Sequence, residues 1–266
     1  MELTKELIHI FQKLSNLFKK ENINFVLIGA TVPLILIDLK EKNGTSFGIR
    51  PTKDLDFTVL IKDWRSFKEL KQLLYNIGFV QKNNNPEHRF FYNNYMVDII
   101  PYNEKLVKEG YLTFPETQNK INVTGFDKLF IYAQSENFSE KLSIPIIPLS
   151  LFVYSKILAY SDRELTKDLE DIIYCLKHYE ESSISERRFD IVGELEISYE
   201  KSGAYLLGKD LSEILSSQEQ NIVNEFLNKF NDEYSPIILK LNSNDIDTQK
   251  EILDLFLSFK KGMSLT

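Results

Sequence analysis

The sequence is short of the residues that build redox and soft-metal chemistry. Cys175 is the only cysteine in 266 residues, which excludes a disulfide framework and a cysteine-built zinc site. Three histidines, His9, His88 and His178, stand at no spacing that suggests a metal site or a catalytic triad. Long apolar runs are missing too. The longest nearly unbroken one, residues 25–37, has 13 residues and carries Gly29 and Pro33, against the ~20 that a membrane-spanning helix needs. No membrane partner is expected. The opening MELTKELIHIFQKL has no basic stretch followed by an apolar one, so the reading is of a cytoplasmic protein without a secretory signal. What remains is an ordinary globular composition, 43% apolar and 12% aromatic, with no internal repeat or low-complexity tract.

Charge is unevenly spread. Residues 1–150 hold 19 Lys and Arg against 17 Asp and Glu, a net of +2, while residues 151–266 hold 13 against 22, a net of −9. That disfavours a basic domain coating nucleic acid but leaves room for a local phosphate site in the first half.

Along the chain, Leu3, Leu7, Ile10, Phe11, Leu14, Leu17 and Phe18 recur at helical spacing and predict an opening amphipathic helix. Residues 24–28 read as a short buried strand. A second helix is expected from Ala30–Pro33 to about Leu39, since proline is tolerated in a first turn. Residues 54–61 are the next strand, and Asp63 is a good N-cap for a helix over 64–76. Runs at 89–92 and 95–100 flank Asn93-Asn94, a pair suited to a hairpin turn. Residues 102–148, with prolines at 101, 115, 145 and 148 in or at the ends, read as short strands and loops. Helical patterns follow at 149–160, 167–179, around 186–201 and at 252–259. The expected fold class is α+β, a mixed sheet with flanking helices in residues 1–146 and a mainly helical domain in 147–266.

The sharpest chemical feature is residues 50–56, RPTKDLD. In a strand, residues two apart share a face, so Asp54 and Asp56 present two carboxylates side by side. Such a pair suits Mg²⁺, a hard cation that shares its sites with phosphates. Fifteen aspartates in 266 residues make roughly one Asp-x-Asp expected by chance. The second, Asp245-Ile-Asp247, is explained by helix capping. What distinguishes the first is Asp98, set in the apolar run Met-Val-Asp-Ile-Ile, where a buried carboxylate needs a partner. Two partners are open: a cation shared with Asp54 and Asp56, or Arg89 across the hairpin. Upstream, Gly29-Ala30-Thr31 joins a strand to a helix, either as a phosphate cradle or simply as a turn.

Together these residues resemble the nucleotidyltransferase superfamily, most closely the AbiEii/AbiGii-like toxins. The resemblance rests on Gly29-Ala30-Thr31, on Arg50, Thr52, Asp54 and Asp56 as R-x-T-x-D-x-D, and on Asp98. It extends through Lys156 to Arg163 and the segment Lys167-Asp168-Leu-Glu-Asp171. Where the family usually has Gly-Gly or Gly-Ser, this chain has Gly29-Ala30. The resemblance implies Mg²⁺, or Mn²⁺ in its place, on Asp54, Asp56 and Asp98, with Asp98 also able to take the acceptor's proton. It implies an NTP such as ATP bound by Gly29, Ala30, Thr31, Arg50, Lys53, Asp168 and Asp171. Lys156 contacts the triphosphate in this reading and is a surface helix lysine in the plainer one. For Arg50 and Arg89 the choice is between steadying phosphates and pairing with acids; for Asp168 and Asp171 it is between lining a site and starting a helix. The implied activity is transfer of an NMP to an acceptor hydroxyl on tRNA or protein, as the toxin of a toxin–antitoxin or phage-defence pair with a cognate antitoxin. The alternatives are a small-molecule acceptor such as an antibiotic, or a non-catalytic nucleotide-binding module.

Overall fold

Thr4 opens the first helix, α1 (Lys5–Lys20), its side-chain oxygen accepting the Leu7 amide at 3.1 Å. Its apolar stripe, Leu7, Ile10, Phe11, Leu14, Leu17 and Phe18, is buried, as the spacing predicts. The structure is a computed structural model that describes residues 4–38, 52–181, 186–195, 197–241 and 244–264. Leu3, Leu39 and Arg50 lie outside the described residues.

The chain forms two compact units, the first holding residues 4–35 and 52–148, the second residues 36–38 and 149–264. In the first, β1 (Phe25–Ile28) is buried at every position. Thr31–Pro33 then begin a helix, α2, that winds on as a π-helix over Leu34–Asp38. The continuous α-helix expected there widens just after Pro33, which has no amide proton to donate.

Strand β2 (Asp54–Leu60) buries Leu55, Phe57 and Val59 on one face. Asp63 caps α3 (Trp64–Asn76), accepting the Ser66 amide at 2.8 Å, as expected. The hairpin of β3 (Arg89–Tyr92) and β4 (Tyr95–Tyr102) turns through Asn93, whose φ of 50° is one that asparagine tolerates.

The stretch expected to be irregular contains β5 (Val107–Lys108), β6 (Tyr111–Thr113) and β7 (Lys120–Asn122), which form a small antiparallel sheet. It also holds a seven-residue helix, α4 (Phe126–Tyr132), too short to announce itself by periodicity. Strands β8 (Gln134–Ser139) and β9 (Leu142–Ile146) complete a main sheet ordered β3-β4-β2-β1-β9-β8. It is mixed, as expected: β2 runs antiparallel to β1 and parallel to β4, and β1 runs parallel to β9.

The second unit is helical. Helices α5 (Leu149–Arg163) and α6 (Thr166–His178) come first. The helix expected around 186–201 is two, α7 (Arg187–Leu195) and α8 (Tyr199–Ser212), the latter opening at Ser198. Then come α9 (Ser217–Leu227), α10 (Pro236–Leu241) and α11 (Ile246–Met263), capped by Asp245 as its sequence context predicts. Gly208 and Gly262 let α8 and α11 touch backbone to backbone. A Cβ on Gly208 would stand 2.2 Å from the Phe259 carbonyl oxygen, and one on Gly262 2.1 Å from that of Tyr205. Among the described residues no helix is long and apolar enough to cross a membrane.

Candidate active site

Strand alternation sets Asp54 and Asp56 on one face of β2, with the buried Leu55 between them on the other. Asp54 is exposed and Asp56 half-buried. Register then supplies neighbours: Ile28 on β1 stands opposite Asp56, Asp98 on β4 stands beside Asp56, and Arg89 on β3 stands opposite Asp98. Three strands therefore deliver three acids and a guanidinium to one end of the sheet.

Gly29 closes that end. Its φ is +76°, and a Cβ there would stand 1.9 Å from Asp56 Oδ2, so the Asp56 carboxylate lies directly against the glycine Cα. The strand–helix junction, read from sequence as either a phosphate cradle or a turn, is thus packed on Asp56. Ala30 occupies the N-cap position of α2. Thr31 is buried and donates its hydroxyl to the Asp54 carbonyl at 3.1 Å, tying the junction to β2. Thr52 accepts the Asp54 amide at 3.0 Å. Lys53 is exposed, and its carbonyl accepts the Met96 amide at 3.0 Å, continuing the β2–β4 pairing.

Of the two partners left open for Asp98, the structure shows Arg89. Its Nε donates to Oδ1 at 2.8 Å and its Nη2 to Oδ2 at 2.7 Å, a two-point guanidinium–carboxylate contact. The Asp98 bonds, and after them the charges of Asp98, Asp56 and Asp54, raise the Arg89 pKa. Both Asp98 oxygens are turned onto Arg89, and among the described residues no group of three or more His, Cys, Asp or Glu side chains is arranged to hold a metal ion.

His88 was not singled out by sequence, yet its Nε2 stands 3.7 Å from Asp98 Oδ2. Burial pushes its pKa down and keeps the imidazole neutral, and its ring packs 5.4 Å from that of Phe114. Only its place next to Arg89 hinted at this.

In the second unit the structure brings Lys156, Asp168 and Asp171 together. Lys156 Nζ lies 3.2 Å from Asp168 Oδ1 and 2.5 Å from Asp171 Oδ2. Arg163, at the end of α5, holds Asp168 from the other side through Nε at 2.8 Å and Nη2 at 2.6 Å. Burial alone would raise the pKa of the wholly buried Asp168 carboxyl, but Arg163 and Lys156 reverse the balance and hold it below its ordinary value. With a side chain only 13% exposed, Lys156 is not the surface lysine of the plainer reading. Cys175 is fully buried and its thiol pKa is pushed well up, the behaviour of a core residue.

No family model and no curated protein matches the chain. Among solved structures it is similar to the antibiotic-resistance factor ANT(2'')-Ia, with 10% identity, a TM-score of 0.39 and coverage of 65% of this chain and 83% of that one. It is also similar to an antigenic nucleotidyltransferase-like protein from Paracoccidioides brasiliensis, with 16% identity, a TM-score of 0.40, and coverage of 77% and 90%. The cyclic dinucleotide synthase CdnE of Elizabethkingia meningoseptica matches with 12% identity, a TM-score of 0.26, and coverage of 94% and 89%.

Proposed function

We propose that this chain is a metal-dependent nucleotidyltransferase that moves a nucleoside monophosphate from an NTP to an acceptor hydroxyl. The observation that carries the reading is the pair of carboxylates on one face of β2, with Asp56 seated against Gly29 at the strand–helix junction. Two adjacent carboxylates, one exposed and one half-buried, fit a hard cation that takes oxygen ligands and shares its shell with phosphate. Asp54 and Asp56 are the residues that would hold Mg²⁺ or Mn²⁺. When bound, such a cation draws charge off the phosphate oxygens and lowers the barrier to displacement.

In the reaction the acceptor oxygen bonds to the α-phosphorus, and the bond from that phosphorus to the bridging oxygen breaks. Pyrophosphate leaves with the electron pair, and the hydroxyl proton passes to solvent. The chain's own part is to hold the phosphates in line. Asp54 and Asp56 fix the cation's place, and Thr31 fixes the strand carrying them through the Asp54 carbonyl.

The acceptor we favour is tRNA or protein, with the chain acting as the toxin of a toxin–antitoxin or phage-defence pair and a cognate antitoxin as partner. The support is the R-x-T-x-D-x-D resemblance. Offering labelled NTP and Mg²⁺ with bulk tRNA, with protein and with aminoglycosides tests both steps. Label on tRNA or protein supports the toxin reading, and label on the aminoglycoside alone replaces it with small-molecule modification. Binding of NTP without transfer to any acceptor would leave a non-catalytic module.

A further inference from the structure

We propose that Arg89 grips the phosphate of the incoming nucleotide and that Asp98 is its anchor, not a metal ligand; the inference rests on the nucleotidyltransferase reading above. A guanidinium has five N–H donors. Arg89 gives Nε–H and one Nη2–H to the two oxygens of Asp98. Three donors are left on the same planar group, whose side chain is 29% exposed while that of Asp98 is 10% exposed. The two-point contact joins carboxylate and guanidinium edge to edge, with the carboxylate the more buried of the two, and fixes the guanidinium's orientation. Asp98, which Arg89 holds, is paired in register with Asp56 on the neighbouring strand, two residues from Asp54. A phosphate brought in with a cation on those two acids meets a fixed, charged fork, the geometry that suits bidentate phosphate recognition.

For Asp98 to ligate a cation it would have to give up a two-point contact at a position with little access to water. His88 stands on its other flank, Nε2 3.7 Å from Oδ2, and it is the Arg89 guanidinium that holds both Asp98 oxygens. Asp98 is thus a positioning residue, and Arg89 is the substrate contact.

The test uses the full chain and two binding measurements, Mn²⁺ alone by electron paramagnetic resonance and the Mn²⁺ complexes of α,β-methylene nucleoside triphosphates by calorimetry. Asp98→Asn should bind Mn²⁺ within about two-fold of wild type and lose about ten-fold in nucleotide affinity, because one of two charge-assisted bonds holding Arg89 is gone. Arg89→Ala should keep Mn²⁺ and lose about ten- to hundred-fold in nucleotide affinity. Arg89→Lys, which keeps the charge and loses the fork, should fall between. If Arg89→Ala does not fold, judged by its thermal melt, Asp98→Asn and Arg89→Lys carry the test. Loss of Mn²⁺ binding in Asp98→Asn as complete as in Asp54→Asn would make Asp98 a ligand and overturn the proposal while leaving the enzyme reading intact. Nucleotide affinity unchanged in Arg89→Lys and Asp98→Asn would also overturn it. Mn²⁺ binding that survives in Asp54→Asn would overturn the nucleotidyltransferase reading itself.

Discussion

Gly29 meets two demands at once, a φ of +76° and a Cα pressed against the Asp56 carboxylate. Alanine there is strained by the backbone and collides with a charged group. Gly29→Ala should cost about 1–3 kcal/mol of stability in denaturant titration, and Mn²⁺ binding should fall with it, because Asp56 is the atom group that must move. An equally stable variant with intact metal binding would show that the junction does not shape the site. At this scale much was legible. Two-residue alternation placed Asp54 and Asp56 on one face, and an acid in an apolar strand announced that Asp98 has a partner. That the partner is Arg89 followed from hairpin register, which sequence left as one of two choices. The proximity of His88 to Asp98 was not legible, since it depends on how the turn before β3 folds back. Nor was the use of the Thr31 hydroxyl, which is directed to the Asp54 carbonyl.

Among the elements, α5 and α6 are joined by the network of Lys156, Arg163, Asp168 and Asp171. Breaking a buried pair by removing one partner costs about 3–5 kcal/mol, so Asp168→Ala should be among the most destabilising single changes in the helical unit. The pH sign follows from the lowered Asp168 pKa. The folded state binds its proton less readily than the unfolded chain does. The stabilisation is therefore complete above the ordinary aspartate value and is lost as pH falls through the lower folded-state value. The stability gap between wild type and Asp168→Asn should be flat at neutral pH and shrink below about pH 4; a gap that widens there would contradict the assignment. At the start of α3, Asp63→Ala should cost about 1 kcal/mol by loss of the Ser66 cap. This helix was legible to the residue because cap and amphipathic period agree. The division of the 186–201 stretch into α7 and α8 was not, and neither was the place of Gly208, which only the close approach of α11 explains.

At the scale of the whole molecule the net charge of −7 conceals a division, with the acidity concentrated after residue 150. The half that carries Asp54, Asp56 and Asp98 is at +2 with them and +5 without them, as a site for an anionic substrate with its own cation requires. A ligand that binds only the folded chain stabilises it with the logarithm of its concentration, by about 2.7 kcal/mol at a hundred times its dissociation constant, and so raises the melting temperature. Mg²⁺ with the cognate NTP should do this, and Mg²⁺ with pyrimidine or purine alone should not. The helical second half was legible in the order of helical patterns, while the mixed sheet was an expectation that came with the family resemblance. The order of strands in the sheet was not legible, because β9 reaches β1 from more than a hundred residues away. The most direct measurement is transfer of label from α-labelled NTP in Mg²⁺ by wild type and Asp56→Ala, each shown by its melt to be folded. The account predicts transfer by wild type and none by the variant; a folded Asp56→Ala that transfers at the wild-type rate would contradict it.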